Sequence, residues 1–162
     1  MLILVEGADG SGKSYLVNQL YEKGFAIQKV QWQQDFDFAE AAEKCWSGDI
    51  NLVEDRSPIT DIVYRIFDGR KPDRTENIDD IFYWIKQYGI KIIYCKTNTA
   101  YTDSMRRGEE NISKFEDHCE ISKIYDVVIG LIKRDFPKVI LEYDHNKQNI
   151  DDALRFINTQ GE

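Results

Sequence analysis

A chain of 162 residues has the length of one compact domain, and its 42% hydrophobic share can bury a core without disulfides or a structural metal. Twenty-nine acidic against 21 basic residues give a formal net charge of −8. That balance speaks against a general nucleic-acid binder, which needs a basic face to neutralise phosphates, but it leaves room for small phosphorylated ligands held by a few local cations.

No apolar run approaches the length of a membrane span. The opening Met1-Leu2-Ile3-Leu4-Val5-Glu6 lacks a basic leader and reads as a strand, not as a signal peptide. Cys45, Cys95 and Cys119 are odd in number and at no metal-ligand spacing, so a reducing, cytoplasmic compartment is expected, with Cys95 a buried thiol.

Short apolar runs then alternate with segments of helical period, without repeats or a linker. Leu2–Glu6 is the first strand, and Lys13–Lys23 a helix with Leu16, Val17 and Leu20 on one face, closed by Gly24. Phe25–Val30 reads as a second strand, Phe36–Trp46 as a helix ending at Gly48, and Ile50–Glu54 as a buried strand. Pro58 opens a helix carrying the stripe Ile59, Ile62, Val63 and Ile66, and Ile78–Tyr88 is the next helix. Lys91–Cys95 is a strand, and the polar stretch 98–111 has no clear period and reads as a mobile segment. A long helix over Ser113–Asp135, a last strand Val139–Tyr143 after Pro137, and a helix Ile150–Asn158 complete the chain. The expected architecture is α/β, a doubly wound five-stranded parallel sheet with helices on both faces and ligands bound beyond the carboxyl ends of the strands. One domain over 1–162 is expected, with 98–112 a candidate lid.

The first βα junction carries the chemistry. Gly7-Ala8-Asp9-Gly10-Ser11-Gly12-Lys13-Ser14 fits G-x-x-x-x-G-K-[ST] at every fixed position, after an apolar strand and opening a helix. The glycines permit a tight loop whose backbone N–H groups turn toward phosphate oxygens, and the helix N-terminus adds partial positive charge. Lys13 is expected on the β and γ phosphates of ATP, and the Ser14 hydroxyl on Mg2+. A ligand-free glycine turn would look similar, but the complete motif in this context is specific. A GTPase would need N-K-x-D, and Asn146-Lys147-Gln148-Asn149 lacks its Asp; motor ATPases are usually larger. A kinase remains.

Glu54-Asp55-Arg56-Ser57-Pro58 follows the third strand. A carboxylate there can hold Mg2+, Asp55 foremost, or accept a proton, Glu54 being a candidate base for a free 5′-hydroxyl. The planar fork of Arg56 suits an acceptor phosphate. Asp55 or Ser57 before Pro58 would equally serve as an ordinary helix cap. Arg106-Arg107-Gly108-Glu109 lies in the polar stretch, where arginines of a closing segment would meet the transferred phosphoryl group; a solvated arginine pair is the plainer reading.

Together these motifs resemble the thymidylate kinase family and, more loosely, the deoxynucleoside kinases. Glu6 through Ser14 is similar to that family's E-G-x-D-G-x-G-K-[ST], which implies Asp9 near the acceptor sugar's 3′-hydroxyl. Asp55-Arg56-Ser57 resembles its D-R-[YFHS], whose arginine holds the acceptor phosphate, and also the E-R-S of deoxynucleoside kinases. Arg106-Arg107-Gly108-Glu109 looks like the R-G-E of bacterial thymidylate kinases. The family's R-E-P-G after the second strand has no counterpart in Gln28–Gln34, so a monophosphate and a free nucleoside both stand as acceptors, ahead of modified DNA; a catalytically silent nucleotide-binding module is the last alternative. The resemblance implies a small-molecule nucleotide acceptor as partner and allows a homodimer through the long helix.

Weaker candidates have plain structural readings beside them. Trp32, Phe36 and Phe38 could stack on a base or pack the core, and the helical spacing of Tyr64 and Phe67 makes core the default. Asp35 and Glu40 could act as bases but are ordinary surface carboxylates, and His118 and His145 look isolated and exposed.

Overall fold

The computed structural model describes residues 1–29, 38–48, 50–69, 77–106 and 114–159. Five strands are all parallel: β1 (Leu2–Glu6), β2 (Ala26–Lys29), β3 (Leu52–Asp55), β4 (Lys91–Cys95) and β5 (Ile140–Tyr143), in the order β2-β3-β1-β4-β5. Between them run α1 (Lys13–Glu22), α2 (Phe38–Ser47), α3 (Pro58–Asp68), α4 (Ile78–Tyr88), α5 (Ala100–Arg106), α6 (Phe115–Asp135) and, last, α7 (Ile150–Asn158). The strand order reverses at β1, whose neighbours are β3 and β4, and this puts the loop after β1 at the switch point where such sheets bind ligands.

Alternation along each strand divides the core in two. Leu2, Leu4, Ile92, Tyr94 and Ile140 face α2, α3, α4 and α6, whereas Ile3, Val5, Val53, Ile93, Cys95 and Tyr143 face α1 and α7. The strands read as unbroken apolar runs because both faces are covered. Each fully buried Ile, Leu or Val contributes about 1.5–3 kcal/mol over exposure, so the two layers supply most of the driving force. Glu6 continues the even-numbered face of β1 toward α3 and α6, a carboxylate placed by register among apolar neighbours.

Several boundaries differ from the sequence reading. Ile50 is exposed and β3 begins at Leu52, because only residues paired with β1 and β2 are held in the sheet. Ile66 also faces solvent, so the buried stripe of α3 is narrower than its apolar spacing suggests. Pro137–Val139 forms a 3-10 turn before β5, since proline cannot donate to the ladder. Within the stretch read as mobile, Ala100–Arg106 is helical, seeded by Thr99 Oγ1 donating to Asp103. Along α6, Ile121 and Val128 are buried while Val127 and Leu131 face solvent. Cys95 is buried as expected, its thiol pushed up to about 12 by burial.

Candidate active site

The loop between β1 and α1 is tight enough to require its glycines at two positions. A Cβ on Gly7, at φ +142, would stand 2.3 Å from the Cys95 carbonyl oxygen. On Gly12, at φ +94, it would stand 2.5 Å from Nδ1 of His145. Gly12 offers no side-chain cap to the first-turn N–H groups of α1. Lys13 Nζ donates to the carbonyls of Gly7 at 2.6 Å and Ala8 at 2.9 Å and lies 4.0 Å from Asp9. Burial pushes the Lys13 ammonium below its usual value, and Asp9 pulls it back up. Ser11 Oγ is buried without a hydrogen-bond partner among the described residues, and Ser14 is exposed at the helix start.

The turn after β3 completes the site. Arg56 has φ 78, alone among the described non-glycine residues in adopting a positive φ, a conformation that costs about 1–3 kcal/mol. This geometry aims its guanidinium back over the loop, where Nη2 donates to Asp9 Oδ1 at 3.0 Å. The Asp9 side chain is 9% exposed and that of Arg56 39%, so one face of the fork stays open to solvent. Burial works against the Arg56 charge, and Asp9 with nearby Tyr64, Tyr125 and Asp55 outweighs it. Asp55 Oδ1 is buried without a hydrogen-bond partner among the described residues. Ser57 is the helix cap, its Oγ accepting from the Ile59 N–H at 3.1 Å, ahead of Pro58.

Two supports are absent from the sequence reading. Glu6 is fully buried and accepts from the Ser57 N–H at 2.9 Å, the Thr60 hydroxyl at 2.6 Å and the Tyr125 hydroxyl at 3.4 Å. It thereby ties β1 to the turn bearing Arg56 and to α6. Burial raises its pKa, and the hydrogen bonds from Ser57 and Thr60 oppose that shift. His118, expected exposed, is buried, and its Nε2 lies 2.8 Å from the Asp9 carbonyl oxygen. The missed signal was spacing: 118, 121, 125 and 128 form the buried stripe of α6. His145, also expected isolated, packs over Gly12 with Tyr15 beside it.

The remaining candidates separate clearly. The fold gathers Asp9, Lys13 and Arg56 by direct contact, with Asp55 adjoining Arg56 and Ser14 adjoining Lys13. Arg106 ends α5 exposed, 3.9 Å from Asp103, and makes no described contact with that group. Arg107, Gly108 and Glu109 fall outside the described residues, as do Trp32, Asp35 and Phe36. Phe38 is buried against Trp84, Tyr64 and Phe67 pack on the core, and Glu40 pairs with Lys44 on the surface. Hard oxygen donors at Ser14 and Asp55 fit Mg2+. Among the described residues no three His, Cys, Asp or Glu side chains form a metal cage.

No protein-family model and no curated protein matches this chain. Solved structures do. YorR from Bacillus subtilis, in complex with phosphorylated GDP, superposes with a TM-score of 0.66 at 19% identity, over 97% of this chain and 93% of its own. Deoxyadenosine kinase from M. mycoides with bound dATP gives 0.61 at 20% identity, over 98% and 100%. The same enzyme with dCTP gives 0.60 at 20%, over 97% and 96%. This chain shares the fold of these nucleotide-bound structures. The superpositions cover 97–98% of this chain.

Proposed function

We propose that this protein transfers the γ-phosphate of ATP to a deoxynucleoside monophosphate, yielding ADP and the diphosphate. The observation that carries the reading is the Arg56 fork, held on Asp9 beside the phosphate loop with one face open. An acceptor phosphate is a dianion, and a planar guanidinium fixed at one edge by a carboxylate presents its other N–H groups to it. In this reading Lys13, steadied by the Gly7 and Ala8 carbonyls, meets the β and γ phosphates together with the loop N–H groups from Gly10 to Ser14. An acceptor phosphate oxygen forms the new bond to the γ-phosphorus while its bond to the β–γ bridging oxygen breaks, and ADP leaves. Ser14 and Asp55 would hold Mg2+, which neutralises charge on the phosphates. Arg106 and Arg107 would add positive charge around the migrating group.

A second reading has its own support. The M. mycoides enzyme is a deoxyadenosine kinase, also solved with products dCMP and a flexible dCDP bound, and it matches this chain over nearly its full length. If the acceptor is a free nucleoside, its 5′-hydroxyl must lose a proton, and a carboxylate at the end of β3, Glu54 or Asp55, would take it. The Asp55 Oδ1, buried without a hydrogen-bond partner among the described residues, supports this.

ADP release with ATP and magnesium, across a panel of deoxynucleoside monophosphates and the matching nucleosides, separates the two. Turnover on monophosphates alone is expected. Turnover on nucleosides alone selects the second reading, and none on either panel refutes both.

A further inference from the structure

We propose that His118 is a positioning residue of this site, holding the Asp9 peptide so that the Asp9 side chain keeps Arg56 in place. Three consecutive carbonyls line the underside of the phosphate loop. Those of Gly7 and Ala8 accept from Lys13, and Ala8 also accepts from the Ser11 N–H at 3.2 Å. The third, Asp9, accepts from His118 Nε2 at 2.8 Å. A carbonyl has no proton to give, so Nε2 carries the hydrogen, and the two residues lie 109 positions apart in the chain.

Among the described residues, the ring's hydrogen-bond partner is Asp9. His118 is 5% exposed on the buried stripe of α6, and Tyr101 of α5 meets it edge-on at 5.6 Å and 70°. Tyr101 is itself fixed edge-on against Phe115 at 5.1 Å. On the other side of the hydrogen bond the chain is permissive: Gly10, with φ 80, follows Asp9 directly. A peptide next to glycine turns readily unless its oxygen is held. With the oxygen released, the backbone at Asp9 and Gly10 is free to shift. That loosens the hold of the Asp9 carboxylate on Arg56 at 3.0 Å more than its distant 4.0 Å pairing with Lys13, whose ammonium keeps the Gly7 and Ala8 carbonyls. His118 therefore acts on the acceptor side of the site, whereas Lys13 serves the donor side. The kinetic part of this inference rests on the kinase reading above; the structural part does not.

The test compares His118→Leu, which removes the donor, with His118→Gln, whose amide N–H reaches nearly as far as Nε2. Amide hydrogen exchange over residues 6–12 is measured together with steady-state kinetics and equilibrium ATP binding. The Leu variant should speed exchange around Asp9 and Gly10 about tenfold and lower acceptor kcat/KM about tenfold, mainly through KM. Its ATP Kd should stay within about twofold of the parent, and Gln should recover most of both losses. Should the Leu chain not fold, His118→Asn replaces it, because its shorter amide falls short of the carbonyl. Unchanged exchange without the donor overturns the proposal. So does equal damage to ATP and acceptor binding, or a Gln variant no better than Leu. A parent protein that phosphorylates no acceptor refutes the kinase reading, and the exchange measurement then decides this proposal by itself.

Discussion

Two lysines, Lys13 and Lys91, are each 7% exposed, and each gives its ammonium to backbone carbonyls. Lys13 stands beyond the carboxyl end of β1 on the oxygens of Gly7 and Ala8; Lys91 opens β4 and bonds the carbonyls of Phe156, Ile157 and Thr159 at the end of α7. Burial lowers the pKa of both. What separates them is company. Around Lys13 the parallel strands converge at one end and bring Asp9, Asp55 and Arg56 together, a balanced set of charges with an open face. Around Lys91 are carbonyls and the ring of Phe156, which is how a cation closes the negative end of a helix. A buried lysine alone therefore says little about function; its end of the sheet and its neighbours decide.

The contrast is most easily broken at Lys13. Lys13→Ala should lower kcat/KM by about a thousandfold or more with the fold intact by circular dichroism, and full turnover in that variant would end the mechanism. Next in size, Arg56→Ala should cost about a hundredfold in acceptor kcat/KM, and Arg56→Lys should restore little of it because a point charge cannot hold Asp9 and a phosphate together. Equal rescue by lysine would mean that charge, not the fork, is what matters. At the opposite end of the sheet, Lys91→Met should lower the unfolding free energy by about 2 kcal/mol with kcat unchanged. A kinetic defect in properly folded Lys91→Met would erase the distinction between the two ends.

The smallest expected effect sharpens the comparison through Glu6, the buried carboxylate between the two halves of the site. Burial raises its pKa above the usual 4.5, so the folded state holds its proton longer than the unfolded one. Stability should then fall as pH rises through the window starting near 4.5, by up to about 1.4 kcal/mol per pH unit. Urea unfolding from acid to neutral pH should show that slope in the parent and a flatter profile in Glu6→Gln. Parallel profiles would show that Glu6 titrates alike in both states.

Elements whose signal is local were legible from the chain. The helices Ile78–Tyr88 and Ile150–Asn158 and the apolar run Lys91–Cys95 stand where the sequence places them. The phosphate loop was legible for the same reason, since its glycines and Lys13 answer to the geometry of a single turn. Ala100–Arg106 was not, because a seven-residue polar helix has too few turns to show a period.

The sequence by itself determined the strand–loop–helix frame, the two-faced parallel sheet and the residues that suit a phosphate. Only the tertiary structure decided that Arg56 closes on Asp9, that Glu6 binds the Ser57 turn and that His118 reaches the loop from a helix far along the chain. Those contacts join residues 47, 51 and 109 positions apart. No local period or propensity encodes such pairings; they come into being when the strands align and the helices pack across them.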